Sequence, residues 1–229
     1  MPPTKISKVL VAFSKSIGKR AIDLVMIGDS HAEHLLLGMS QALPHLNIAV
    51  YPRSELPFTK SAEYKEIFDS LVNDHQIKYV LMTSMWAVAP LSTEERLAFK
   101  TELNLTIQRL TDAGKQVFLT TDTPKFGFDP QRCKFSHPLT GRSNCNESSE
   151  SNQQVLRSYL PILEAAQREH PNVKLVRLDD LFCDESSCRM AMDGRILFRD
   201  NNHVNIFGSQ LVGTALAKRL APFSPIFPP

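Results

Sequence analysis

The sequence predicts an α/β fold: a three-layer α/β/α sandwich around a mainly parallel sheet of about five strands. Three observations carry that prediction. Short apolar, β-branched runs alternate along the chain with longer segments of helical periodicity, as in the strand-helix-strand units of a parallel sheet. The 229 residues, 42% hydrophobic and 22% charged, suffice for one such domain with a large core. No run of about 18 apolar residues and no internal repeat interrupts the alternation.

Residues 1–20 carry Lys5, Lys8, Lys15, Lys19 and Arg20 with no acidic residue, while Ile6, Val9, Leu10 and Ile17 can share a helical face. They read as a basic linker or a short amphipathic extension on a membrane surface. No apolar stretch with a cleavage site follows, so this is not a secretory signal. The folded domain is expected over 21–221, with a proline-rich, unstructured tail over 222–229.

Within the domain, residues 22–27 form the first apolar run and 31–43 the helix behind it, with Leu35, Leu36, Met39 and Leu43 near helical spacing and Pro44 ending it. Residues 47–51 give a second strand and 52–57 a loop at its C-terminal end, where doubly wound sheets gather ligand groups. A helix over 61–75 leads to a strand over 78–83. A long helix over 93–113, with Leu97, Leu103, Ile107 and Leu110 and then Gly114 as its cap, leads to a strand over 116–121. Residues 122–151 have loop composition and far exceed the usual connection. A helix over 152–170, a strand over 173–178, a short strand over 195–198 and a last helix over 206–220 complete the order.

Two short motifs stand at opposite ends of this plan. Ile27-Gly28-Asp29-Ser30-His31 occupies the first strand-helix junction, placing Ser30 at a sharp turn beside unpaired backbone N–H groups. Arg199-Asp200-Asn201-Asn202-His203 offers a carboxylate and an imidazole immediately before the last helix, a base and its orienter for a serine nucleophile. Each motif alone is common, and Gly-Asp-Ser is equally an N-cap after a strand. Together, at the two ends of a domain this size, they are specific.

On these residues the chain resembles the SGNH hydrolase superfamily, whose first block matches Gly28, Asp29 and Ser30 and whose last block matches Asp200 and His203. The run Phe198 to Asn205 followed by Gly208, with paired cysteines before it, looks like the C-terminal SGNH domain of membrane acyltransferases that O-acetylate bacterial surface polysaccharides. The resemblance covers about residues 21–220 and implies a flavodoxin-like SGNH fold with Ser30, Asp200 and His203 as a catalytic triad. It implies acyl, in that family acetyl, transfer to hydroxyls of a polysaccharide such as lipopolysaccharide O-antigen, with the acyl donor supplied by a membrane domain. No cofactor, metal or nucleic acid is implied, and the location is periplasmic, tethered to the inner membrane, with this chain a fragment of a longer protein.

The sequence departs from the superfamily at the oxyanion hole. The second block has no glycine, and Ser54 is the nearest small residue whose N–H can substitute, unless 52–57 is only a proline-stiffened turn. The third block has no asparagine; Thr83-Ser84-Met85-Trp86 stands there, making Ser84 a candidate donor and Trp86 either a wall for a sugar ring or a core residue. These absences leave open a carbohydrate-binding module with a vestigial triad, and the active triad leaves open an esterase that hydrolyses instead of transferring.

The formal charge of +2 argues against nucleic acid. Cys133 with Cys145 and Cys183 with Cys188 each bracket a polar loop without zinc-site spacing. They are either two local disulfides of an oxidising compartment or four free thiols, and the periplasmic resemblance favours the disulfides. A metal site from His31, His34, Asp200 and His203 is a minor alternative. Asp179-Asp180 reads as a strand end and helix cap, and His137 as a solvated loop residue.

Overall fold

In the computed structural model, the described residues are 10–12, 21–134 and 145–227. The strands are β1 Leu10–Ala12, β2 Leu24–Gly28, β3 Ile48–Pro52, β4 Tyr79–Met82, β5 Gln116–Thr120, β6 Asn146–Ser148, β7 Val173–Val176, β8 Ser187–Arg189, β9 Ala191–Met192 and β10 Arg195–Ile196. The helices are α1 Ser30–Glu33, α2 Leu36–Ala42, α3 Lys65–Asn73, α4 Thr93–Asp112, α5 Glu150–Glu169 and α6 Ile206–Leu220. Five strands form a parallel sheet in the order β3-β2-β4-β5-β7, and β1 adds an antiparallel edge beside β3. Thus the basic segment contributes a strand at Leu10–Ala12 where a helical face was one expectation; its remaining residues, and His137, lie outside the described ones.

Because successive side chains of a strand point to opposite faces, β2 feeds two cores. Leu24 and Met26 pack on one side with Met39, Val212 and Leu216 of α2 and α6. Val25 and Ile27 pack on the other with Phe68, Leu103 and Leu163 of α3, α4 and α5. All five β2 residues are buried, which explains a continuous apolar run in place of alternation.

The first and last long helices meet backbone to backbone. A Cβ on Gly38 of α2 would lie 1.7 Å from the Ser209 carbonyl oxygen, and one on Gly213 of α6 would lie 2.2 Å from the Gly38 carbonyl carbon. The Gly38 N–H donates to Ser209 Oγ at 2.9 Å, closing this contact with a buried hydrogen bond.

Several expectations are corrected. The single helix over 31–43 is two, α1 and α2, separated by a turn at His34 and Leu35, where the Leu35 N–H bonds the Ala32 carbonyl only three residues back. The helix over 61–75 shortens to α3, with turns up to Tyr64. The strand over 195–198 is a hairpin with β9, separate from the main sheet. Its turn, Asp193-Gly194, has φ of 51° and 74°, the Asp-Gly signal of a two-residue hairpin. The long connection after β5 carries a 3-10 turn at Pro130–Lys134 and β6, which pairs with β8. Disulfides join Cys133 to Cys145 and Cys183 to Cys188.

The tail is not unstructured through Phe227. After the 3-10 turn Ala221–Phe223, Phe227 is 1% exposed and packs edge-on to Phe118 at 5.3 Å. His45 Nε2 bonds the Ile226 carbonyl at 2.8 Å.

Candidate active site

Gly28 ends β2 where the chain must pass against β4: a Cβ there would lie 1.7 Å from the Thr83 carbonyl oxygen. Only glycine permits that approach. Buried Tyr64 donates its hydroxyl to the Gly28 carbonyl, fixing the strand end. Asp29 then caps α1, its Oδ1 accepting from the His31 N–H at 2.8 Å. Its Oδ2 accepts from Ser84 Oγ at 2.8 Å and the Met85 N–H at 2.9 Å. The Asp29 carboxylate therefore ties the Ser30 turn to the end of β4, and is a turn-stabilising group as distinct from a second acid.

Ser30 opens α1, and its Oγ lies 2.7 Å from His203 Nε2. His203 Nδ1 faces both oxygens of Asp200, at 3.0 and 2.9 Å. Asp200 Oδ1 also accepts from the N–H groups of Asn202 and His203, at 3.0 and 2.7 Å. Partial burial pushes this carboxyl's pKa up, but those two N–H groups and the imidazole outweigh it and hold it below the ordinary value. The loop is clamped from the connection after β5, where the Phe126 N–H donates to the Asn201 carbonyl at 2.7 Å. Asn205 clamps its other end, capping α6 and donating to the Ile196 carbonyl at 2.8 Å. The structure thus brings together Ser30, Asp200 and His203 from opposite ends of the chain.

It does not bring the other candidates to Ser30 as donors. The Ser54 N–H points instead to Glu63 Oε2 at 2.8 Å, an oxygen it shares with the Glu55 N–H, although Ser54 lines the same cleft as Ser30. Ser84 is fully buried and spends its hydroxyl on Asp29. Trp86 is 2% exposed, donates Nε1–H to the Thr120 carbonyl at 2.7 Å and packs edge-on to Phe99. With its ring in the core, it offers no wall to a sugar.

Sequence reasoning missed a second imidazole-carboxylate pair. His31 Nδ1 stands 2.6 Å from Asp122 Oδ1 at the end of β5, and its ring centroid lies 4.8 Å from that of His203. Burial disfavours the imidazolium, yet Asp122, with Asp29 and Asp200 farther off, raises the His31 pKa above its ordinary value. His34 completes a cluster of three histidine rings, tilted or edge-on to one another; burial, then His31 and His203, pull its pKa well down. Position could have flagged Asp122, which directly follows a parallel strand at the sheet's C-terminal edge. Among the described residues, no group of three or more His, Cys, Asp or Glu side chains is arranged to hold a metal.

Ser30 opens into a cleft of about 980 Å³ lined also by Asp29, Glu33, Arg53, Glu63 and Met85. A serine-imidazole-carboxylate chain at the C-terminal edge of a parallel sheet, facing an open cleft, defines a hydrolase-type α/β fold equipped for acyl chemistry.

Over residues 10–218 the chain belongs to the family of SGNH domains fused to AT3 domains. No curated protein matches it in sequence. Among solved structures it is similar to the lipopolysaccharide acetyltransferase periplasmic domain of Salmonella ser. Paratyphi A, with TM-score 0.65, 16% identity and 88% and 85% of the two chains covered. It is also similar to an acetyl xylan esterase, with TM-score 0.55, 17% identity and 87% and 100% covered. A carbohydrate acetylesterase from Sinorhizobium meliloti gives TM-score 0.51, 12% identity and 89% and 100% covered. Both transferase and esterase folds are therefore represented, and no helix among the described residues is long and apolar enough to cross a membrane.

Proposed function

We propose that this chain transfers an acyl group, acetyl in the simplest case, to hydroxyls of a cell-surface polysaccharide such as lipopolysaccharide O-antigen, through an acyl-Ser30 intermediate. The observation that carries the reading is the Ser30 Oγ to His203 Nε2 contact of 2.7 Å, continued to Asp200. Ser30 attacks the donor carbonyl while His203 takes its proton; Asp200 orients the ring and stabilises the imidazolium. The Ser30 N–H meets the oxyanion. The donor alcohol leaves with the proton from His203, and an acceptor hydroxyl, deprotonated by the same imidazole, releases the acyl group from Ser30.

Fusion of the family to AT3 domains supports a membrane partner that supplies the acyl donor. Two disulfides and the periplasmic domain it is similar to support a periplasmic location. On this reading the domain spans residues 21–221 and takes in the edge strand β1, Leu10–Ala12, from the basic segment before it. The second reading, a carbohydrate O-acetyl esterase, is favoured by the openness of the cleft at Ser30 to water and by the esterase folds it is similar to.

Intact-mass spectrometry after brief exposure to p-nitrophenyl acetate tests the shared step. An added acetyl group present in the wild type and missing in Ser30→Ala is the expected result. No adduct and no turnover would sink it in favour of a sugar-binding module. Added oligosaccharides that accept the acetyl group in competition with water would identify the transferase.

A further inference from the structure

Met85 lines two cavities at once. On one side is the cleft containing Ser30; on the other is a second pocket of about 280 Å³ whose walls include Ala87, Val88, Phe126, Val155 and Leu156. The methionine is held where it stands, its N–H bonded to Asp29 Oδ2 at 2.9 Å and its Sδ contacted by Asn202 Nδ2 at 3.5 Å. Asp29 and Asn202 flank Ser30 and His203 in the sequence, so the partition is tied to both halves of the triad.

Several of the pocket's polar groups are already engaged, while Lys125, Ser151 and Asn152 also line it. Asp122 is paired with His31 and accepts from the Thr123 N–H; the Tyr159 hydroxyl accepts from the Asp122 N–H at 3.2 Å. Thr123 Oγ1 bonds the Asn202 carbonyl at 3.3 Å, and Glu147 Oε2 accepts from the Gly127 N–H at 2.8 Å. The apolar side beside Met85, formed by Ala87, Val88, Phe126, Val155 and Leu156, offers a hydrocarbon chain a surface that a hydroxylated ring would use less well.

We infer that Met85 sets the length of the acyl group carried by Ser30, by walling off an apolar pocket that would otherwise receive a longer chain. The inference rests on the acyl-Ser30 reading above. In each case the same bonds change: Ser30 Oγ bonds the acyl carbon, the ester C–O bond of the donor breaks, and the hydroxyl proton passes to His203. Only the tail of the acyl group differs. A short unbranched thioether side chain is well suited to a partition, since shortening it leaves the backbone and its Asp29 contact in place.

The test is the ratio of kcat/KM for p-nitrophenyl hexanoate to that for p-nitrophenyl acetate, read in the wild type, Met85→Ala, and Met85→Ala combined with Val155→Phe. The ratio is insensitive to a general loss of activity or stability. Met85→Ala is expected to raise it by about tenfold or more, the discrimination that added methylenes bring when a pocket admits them. Refilling the pocket with Val155→Phe is expected to return it toward the wild-type value, and intact mass should show a hexanoyl adduct on Ser30 in Met85→Ala alone. If Met85→Ala melts near the assay temperature, Met85→Val is read by the same ratio. An unchanged ratio in enzymes that turn over the acetate overturns the inference and leaves the acyl-Ser30 reading standing. Failure of the wild type to be acylated by either ester overturns both.

Discussion

His31 Nδ1 and Asp122 Oδ1 lie 2.6 Å apart, with 1% and 14% of their side chains exposed, so the segment after β5 is locked to the nucleophile's own helix by a nearly dry ion pair. For Asp122, burial outweighs the attraction of His31 and the N–H that Thr123 gives it at 2.7 Å, leaving its carboxyl above the ordinary value. The sign of its pH dependence follows from the raised His31 pKa. The folded state holds the proton more tightly than the unfolded chain, so the pair's contribution is complete below the ordinary histidine value of 6.5 and is lost as pH rises through the folded value. The melting temperature of the wild type relative to that of the double variant His31→Gln, Asp122→Asn should therefore fall across that range, since the variant keeps the opposing contribution of His34, whose pKa burial lowers. Equal slopes would contradict the assignment.

Asp200 is fixed by two backbone N–H groups before it meets His203. Asp200→Asn keeps the size and turn but presents an amide, which cannot stabilise the imidazolium. Turnover of p-nitrophenyl acetate should fall by on the order of a thousandfold, mainly in kcat, with the melting temperature little changed. A loss confined to KM would assign Asp200 to binding.

The Gly38–Gly213 crossing leaves no room for one methyl group. Gly213→Ala should cost about 1–3 kcal/mol by forcing α2 and α6 apart, measured by urea unfolding, even though alanine favours a helix. Because α2 follows the Ser30 turn and α6 follows His203, the same variant should also lose activity below its melting point.

The disulfides close loops with sequence separations of 12 and 5. By loop entropy, Cys133–Cys145 should contribute about 3 kcal/mol and Cys183–Cys188 about 2 kcal/mol. Paired Cys→Ser variants measured without reductant should show that order. Since β6 pairs with β8, the double removal should lose more than either alone.

The parallel sheet was legible because buried strands and amphipathic helices announce themselves locally, and α6 begins and ends at the residues its periodicity indicates. Ser30, Asp200 and His203 were legible because each sits in a short motif. What eluded sequence reasoning was tertiary. Trp86 reads identically whether its ring faces a cleft or Phe99. The Ser54 N–H is taken by a carboxylate nine residues on, and Asp122, 91 residues from His31, looks like any loop acid until β2 and β5 are aligned. The helix expected at 31–43 breaks after Glu33, where the Leu35 N–H bonds the Ala32 carbonyl in place of the residue four back, a change in backbone bonding that apolar spacing does not encode. Phe227 joined the core because Phe118 and Tyr79 leave a site for it at the N-terminal end of the sheet, which overrides a proline-rich composition.

The 173 residues between Ser30 and His203 also order events in time. Every strand of the parallel sheet precedes α6, so a growing chain can present its whole sheet and the Ser30 turn before His203 is made. Long-range closure of this kind is slow, and until it is complete the Ser30 hydroxyl lacks its imidazole partner.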